Sequence, residues 1–225
     1  MSASVYNIII ASVSVGYVFA VVAFMDFFVR KGFPQELSRK VVHIAAGSWL
    51  VFWIFFDQSN YSKYFNIAPA AIWAVLLLIK GFTAKEDDEA VKTMTRTGDK
   101  KELLRGPFYF TIVMIVMGTL FFYESVAAVS MGILGWGDGI APLVGKKYGK
   151  HKYNFVTEKS YEGSLAFFLF GVFGACLFSY ILFDEIYLKY IIICSVFTTF
   201  IEAVSPKDID NILIPLACIF VYFFM

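Results

Sequence analysis

The amino-acid sequence predicts an all-α protein, a polytopic bundle of membrane-spanning helices. Of its 225 residues, 59% are hydrophobic and only 16% are charged, and the mean hydropathy is +0.70. Soluble domains carry about a quarter charged residues, so this chain has too little polar surface to cover a water-soluble core. Basic residues are few and alternate with acidic ones, which argues against nucleic acid as a partner.

Apolar runs separated by polar segments predict the helices in order. A helix crosses about 30 Å of hydrocarbon with roughly 20 residues. There are eight such runs, so we expect about eight spans. Several runs are shorter than 20 residues, which leaves their boundaries loose, and seven spans is the alternative if the last run does not fully cross. The runs cover residues 5–25, 41–56, 67–82, 107–123, 126–144, 163–183, 186–204 and 211–225.

Loop charges predict the orientation of the bundle. If the N-terminus lies outside, all of the 19 Lys and Arg residues except Lys63 and Lys189 lie on the inner side. Basic residues are retained on the cytoplasmic side of membranes. We therefore expect one domain, residues 1–225, with its working surface on the cytoplasmic side of a prokaryotic plasma membrane or an ER-type membrane.

Five polar clusters lie at the inner ends of the predicted spans. This shared side predicts that they converge on one pocket at the membrane surface. The clusters are RKVVH (39–43), KELLRGP (101–107), GDGIAPLVGKKYGK (137–150), KSYEGS (159–164) and EAVSPKDIDN (202–211).

Asp138 is an acid inside an apolar run that glycines and Pro142 interrupt. Such a run is a poor continuous helix, so we expect a broken helix that lines a cavity. A carboxylate at that depth is costly and usually functional, and we assign it to a divalent cation. The alternative is a glycine face for helix packing with a structural acid.

Lysines follow this run, and their position has two interpretations. Lys146 and Lys150 suit polyphosphate, or they anchor the span by the positive-inside rule. The segment is not a P-loop, because Lys147 stands where Ser or Thr is required. In KSYEGS, Lys159 and Glu162 suit phosphate and metal, or they form a plain surface turn before a helix.

The last and first clusters carry further candidates. Asn211 can cap the final helix, and capping by Asp or Asn explains one acid of this segment. Capping does not explain both Asp208 and Asp210, nor Lys207 and the intramembrane Glu202. His43 lies four residues after Arg39 and shares its helix face. It is either a packing residue or a catalytic one.

Together these clusters resemble the CTP-dependent isoprenoid-alcohol kinases, which include dolichol, phytol and farnesol kinases. The matching stretches are RKVVHIAAG, KELLRGPFY, GDGIAPLVGKKYGKHK, KSYEGSLA and EAVSPKDIDNILIP, in the family's order over residues 39–217. The GDG and KSYEG segments also resemble phosphatidate cytidylyltransferases, but the C-terminal signature of those enzymes is absent from the sequence.

The resemblance implies transfer of the γ-phosphoryl group of CTP to the hydroxyl of a membrane isoprenoid alcohol, with Mg²⁺ or another divalent cation. The alternatives are a cytidylyltransferase making CDP-diacylglycerol or CDP-archaeol, a CTP-dependent diacylglycerol kinase, and a transporter or scaffold.

The resemblance to the isoprenoid-alcohol kinases also implies roles for individual residues. The catalytic candidates are Asp138, Glu162, Asp210 and His43; the metal candidates are Asp138, Glu162, Asp208 and Asp210; the nucleotide-binding candidates are Arg39, Lys40, Gly137, Gly139, Gly145, Lys146, Lys150, Lys159, Ser160, Lys207 and Asn211.

Overall fold

A computed structural model of the protein describes residues 1–85 and 88–225. These residues form two compact units, Met1–Phe122 and Tyr123–Met225, which we call unit 1 and unit 2. Helices dominate both units, which confirms the all-α prediction. The sheet structure found among the described residues is one short hairpin in unit 2, which the sequence did not predict.

Unit 1 contains the first four apolar runs, and each run became helical. The second and third runs include 3₁₀ segments where they turn. The elements are α1 (Ala3–Arg30), α2 (Gln35–Gly47), 3₁₀ segments Ser48–Phe55 and Tyr61–Ile67, α3 (Ala68–Thr83), α4 (Glu89–Met94), a 3₁₀ segment Lys100–Leu104, and α5 (Gly106–Leu120).

Part of the charged connection between α3 and α5, residues 91–104, packs into unit 1. The short helix α4 lies against α1 and α2. Its Val91, together with Leu103 of the following 3₁₀ segment, is fully buried in a cluster with Val22 and Leu77. This connection therefore contributes to the core.

Unit 2 contains the remaining runs, and the hairpin lies between two of them. The elements are α6 (Ser125–Gly132), a π-helical turn (Ile133–Asp138), α7 (Gly139–Tyr148), β1 (Lys152–Asn154), β2 (Glu158–Ser160), α8 (Tyr161–Phe183), α9 (Leu188–Val204) and α10 (Asp210–Phe224). Helix α8 packs along α6, the π turn and α7, and it also packs against α9.

The glycine-rich run around Asp138 stays helical, so the expectation of a broken helix is wrong. The run from α6 to α7 is continuous, with one π turn in place of a break. A Cβ added at Gly137 would lie 2.9 Å from the Phe167 carbonyl oxygen, and one at Gly132 would strike the backbone of Ala175. Close contact with α8 offsets the poor helix propensity of glycine.

Among the described residues, five helical segments are long and apolar enough to cross a membrane. They are Ala3–Arg30, Tyr61–Thr83, Lys100–Leu120, Ser125–Tyr148 and Tyr161–Phe183, and Ser125–Tyr148 is the most buried of them. Asp210–Phe224 is a shorter apolar helix. A multi-pass membrane protein is therefore supported.

We expect Gly132→Ala to destabilise unit 2, because its new methyl group would meet the α8 backbone, which cannot rotate away. Overpacking of this kind costs about 1–3 kcal/mol. Gly16→Ala in α1 is the matched control, since a Cβ there has no neighbour within 4 Å. Thermal melting of the purified protein in detergent measures both changes. Equal melting temperatures for the two variants would contradict the close contact.

Candidate active site

Asp138 lies at the end of the π turn, immediately before α7, in the most buried of the candidate spans. The residue is only 9% exposed. A carboxylate in such a position is costly and is retained for a polar purpose. Gly137 beside it faces α8, and Gly139 is the buried first residue of α7. The glycines therefore do form a helix-packing face, which was the alternative interpretation of this run, and a buried acid lies among them.

Ser160 connects the two neighbouring motifs of unit 2. Its Oγ accepts a hydrogen bond of 3.1 Å from the Gly163 N–H and so caps α8. A Cβ added at Gly145 would lie 3.1 Å from the same Oγ, and one added at Gly149 would lie only 2.5 Å from it. The end of α7 and the start of α8 therefore pack directly together around this buried hydroxyl.

Glu162 is engaged by a histidine that the sequence did not single out. The ring Nδ1 of His151 lies 2.7 Å from Glu162 Oε1, and the His151 backbone N–H donates to both carboxylate oxygens at 3.3 Å. Glu162 is also in the first turn of α8, where the helix dipole favours an acid. The structure thus gives this carboxylate a local structural role, and its metal and catalytic roles stay predictions.

Lys159 forms an ion pair with Glu202, which lies in the last turn of α9. Lys159 Nζ is 2.6 Å from Glu202 Oε1 and also donates to the Glu202 backbone carbonyl. The two side chains are 17% and 10% exposed. The ammonium neutralises an acid at low dielectric and binds an orphan carbonyl at the helix C-terminus. The KSYEGS and EAVSPKDIDN clusters therefore meet, as predicted.

The hairpin positions Lys159 relative to α8. Tyr153 is paired with Lys159 across the two strands, and its hydroxyl shares a hydrogen bond of 2.5 Å with Ser164 of α8. Burial raises the pKa of the Tyr153 phenol, and the bond with Ser164 opposes that shift in part. The phenol is therefore neutral at physiological pH.

The SPKDIDN segment leads into α10. Helix α10 begins at Asp210, one residue before Asn211, and its N-cap residue is Ile209, whose side chain makes no capping hydrogen bond. The predicted capping role of Asn211 is therefore wrong, because Asn211 already lies within the first helical turn. Asp208 has φ +71°, in the left-handed region that aspartate tolerates better than most residues. Lys207 is exposed beside it.

In unit 1, the RKVVH cluster lies on α2. The His43 ring stacks on Phe110 of α5, with 4.2 Å between ring centroids, which supports the packing reading of this histidine. Lys40 is only 2% exposed, so its ammonium has lost nearly all contact with water, a loss that only polar partners can offset. Arg39 is half-buried. The RKVVH cluster therefore meets the start of α5, just after KELLRGP, within the same unit.

Sequence reasoning missed several residues of the unit 2 site. Glu202 carried a signal, since an acid inside an apolar run needs a cationic partner, but its partner was not identifiable. His151, Tyr153 and Ser164 carried none, because their contacts arise only when the hairpin folds against α8. The convergence of all five clusters on one pocket stays a prediction.

No protein-family model matches the chain, and no solved structure matches it. Relatives that it does match include plant proteins. It is 33% identical over 219 residues to a probable phytol kinase 1, chloroplastic, of Glycine max, which covers 92% of this chain and 72% of that protein. It is 33% identical over 209 residues to a probable phytol kinase, chloroplastic, of Triticum aestivum (87% and 69%). It is 31% identical over 211 residues to phytol kinase 1, chloroplastic, of Arabidopsis thaliana (88% and 69%).

The apolar helices and the buried charged groups are typical of one class, the membrane-embedded enzymes and transporters. The relatives identify which one: the chain belongs to the polyprenol/phytol kinase family. It is a kinase, a phosphotransferase that acts on an alcohol, and its family implies a nucleotide donor. The resemblance stated from the sequence motifs is thereby confirmed.

We expect Lys159 and Glu202 to depend on each other for stability. Lys159→Met or Glu202→Met alone leaves a buried charge without its partner, which costs about 3–5 kcal/mol, whereas replacing both by apolar side chains is often close to neutral. Melting temperatures of the two single variants and the double variant measure this. Additive losses in the double variant would contradict the pair. The double variant's KM for the nucleotide also tests whether Lys159 contacts phosphate, in which case KM rises although stability returns.

Proposed function

We propose that the protein transfers the γ-phosphoryl group of CTP to the hydroxyl of a membrane isoprenoid alcohol of the phytol, geranylgeraniol or dolichol class. The observation that carries this proposal is Asp138, a nearly buried carboxylate in the most enclosed candidate span of a chain whose relatives are phytol kinases. CTP as the donor is supported by the family resemblance of the GDG and KSYEG segments.

Mg²⁺ fits this residue set through the chemistry of the donors. Among residues 1–85 and 88–225, no three or more His, Cys, Asp or Glu side chains are arranged to hold a metal ion. A nucleotide-bound Mg²⁺ does not need such a cage, since it usually takes one or two carboxylates plus phosphate oxygens and water. Asp138 would hold the ion, with Asp208 and Asp210 as further candidates. Bound there, the ion would neutralise charge on the phosphates.

The other residues divide by their surroundings. Lys146 is exposed in the last turn of α7, and Lys150 is exposed two residues after that helix ends at Tyr148. Two exposed ammonium groups this close in the chain suit a polyphosphate. We propose them as the main phosphate-binding residues. The further nucleotide-binding candidates are Arg39, Lys40, Lys159, Ser160, Lys207, Asn211, Gly137, Gly139 and Gly145. Phosphoryl transfer depends mainly on such positioning and charge neutralisation.

The proton of the alcohol hydroxyl needs an acceptor. Asp210 is our first candidate, because Glu162 is bound to His151 and His43 is stacked on Phe110. Asp210 lies at the start of α10, and its Oδ1 accepts a hydrogen bond of 3.0 Å from the Asn211 N–H.

We further propose the full membrane arrangement expected from the sequence. Eight spans with the N-terminus outside would place the nucleotide site on the cytoplasmic side, where CTP arrives from water. The alcohol would stay in the bilayer, and each buried methylene of its tail contributes about 0.8 kcal/mol. Residues 1–225 would act as one kinase-like domain. The plant relatives are named as chloroplastic proteins.

Labelled CTP tests the reaction. In proteoliposomes containing phytol, geranylgeraniol, farnesol, a polyprenol or diacylglycerol, we expect γ-label in an extractable prenyl phosphate and none without a divalent cation. Label from the α-position in a CDP-lipid would instead identify a cytidylyltransferase. Label in phosphatidate alone would identify a diacylglycerol kinase. Transfer from ATP but not from CTP would refute the donor.

Asp138→Asn tests the site. The variant keeps the size of the side chain and removes the charge, so we expect kcat to fall by about 10²–10³, as when one electrostatic group leaves an active site, with the melting temperature retained. Asp184→Asn is the matched control, an exposed acid after α8 whose left-handed φ of +53° asparagine also tolerates. Full activity of Asp138→Asn would exclude the metal assignment.

A further inference from the structure

The tip of the β1–β2 hairpin carries an exposed apolar pair. Phe155 is 69% exposed and Val156 is 55% exposed, although the surrounding segment, residues 145–162, is otherwise rich in charged groups. The pair lies in the connection between the two strands, beyond the Asn154–Glu158 pair. The middle pair of the hairpin, Tyr153 and Lys159, attaches it to unit 2, through Ser164 and Glu202 respectively.

An aromatic path connects this tip to α8. The Phe155 ring lies 5.5 Å from the Tyr153 ring, and the Tyr153 ring lies 5.1 Å from that of Tyr161. Tyr161 is the exposed first residue of α8, a candidate membrane span. The exposed residues Leu165, Leu169 and Phe173 follow at four-residue spacing and so lie on one face of the helix.

This continuity indicates what covers the tip. An exposed apolar face along a membrane-spanning helix meets lipid, and its first residue lies where the helix enters the bilayer. The ring contacts join the tip to that first residue, so the apolar surface continues from α8 to the hairpin. Aromatic side chains are enriched at the depth of the lipid headgroups.

The charges around the hairpin match such a surface. Lys146, Lys147, Lys150 and Lys152 are exposed, and within residues 145–162 Glu158 is the one exposed acid. The ammonium of Lys147 lies over the Tyr148 ring, 5.1 Å from its centroid. Basic residues beside exposed aromatic ones are typical of segments that bind anionic bilayers.

We propose that the hairpin is a membrane-surface anchor: Phe155 and Val156 insert between the lipid headgroups of the bilayer that α8 crosses, and Lys147 and Lys152 contact anionic headgroups. Because β2 also carries Lys159 and Ser160, the anchor fixes the first turn of α8 and the end of α9 relative to the membrane surface. This inference does not depend on the reaction that the enzyme catalyses.

Spin labels measure the depth of the tip directly. Single cysteines are placed at Phe155, at Leu169 and at Glu158 in a Cys176→Ser background, since Cys194 and Cys218 are fully buried. In proteoliposomes, power saturation compares collision with oxygen, which partitions into lipid, and with a water-soluble nickel chelate. We expect the oxygen and nickel accessibilities of the Phe155 label to lie between those of the lipid-facing Leu169 label and those of the aqueous Glu158 label, as insertion at headgroup depth requires.

Two results would overturn the anchor. A Phe155 label as accessible to nickel as the Glu158 label would place the tip in water. A Phe155 label shielded from both reagents would place it against protein, either this chain or a second copy.

Anionic lipid tests the lysines. Adding phosphatidylglycerol to the vesicles should move the Phe155 label deeper, and high salt should reverse the shift by screening. Lys147→Gln with Lys152→Gln should abolish the dependence on lipid charge, whereas the control Lys189→Gln, an exposed lysine of α9, should leave it intact. A depth that ignores lipid charge in the unsubstituted protein would refute the headgroup contacts.

Discussion

Unit 2 depends on the close approach of α8 to the helical run from α6 to α7. In lipid there is no hydrophobic force between helices, so association relies on tight van der Waals packing of small residues. The pairing of Gly132 with Ala175, and of Gly137 with the Phe167 carbonyl, brings the two backbones into contact. That contact supports a π turn that glycine-rich sequence could not hold alone, and Asp138 lies at its end.

The same approach determines the polar end of the unit. Because Gly145 and Gly149 have no side chains, the Ser160 hydroxyl fits against the end of α7 and caps α8. Once Ser160 is fixed, its neighbour Lys159 is carried to the C-terminus of α9, where it pairs with Glu202. A substitution at one of the glycines that contact α8 or Ser160 would therefore displace the residues of the site, although the glycines themselves take no part in the chemistry.

The positions of the helices and the family could be predicted from the sequence, because they depend on composition and on the order of the motifs along the chain. Hydrophobic runs predicted where helices lie, and the spacing of the motifs predicted the family. The π turn at Asp138, the hairpin and the burial of Val91 did not follow, since each is stabilised by residues distant in the chain. The strands contain only three residues each, too few to show a period. The partners of Glu162 and Glu202 were hidden for the same reason.

The acids of unit 2 look alike in sequence, and the fold separates them. Glu202 neutralises Lys159 at a helix end, and Glu162 binds His151 at the base of the hairpin, so the charge of each already serves the structure. Asp138 lies between two buried glycines, Gly137 and Gly139, in the most buried candidate span, where the Gly137 backbone packs against α8. A carboxylate at that depth is costly and marks a functional site by default. Its depth, in a chain whose relatives are phytol kinases, is why the chemistry we propose is centred on Asp138.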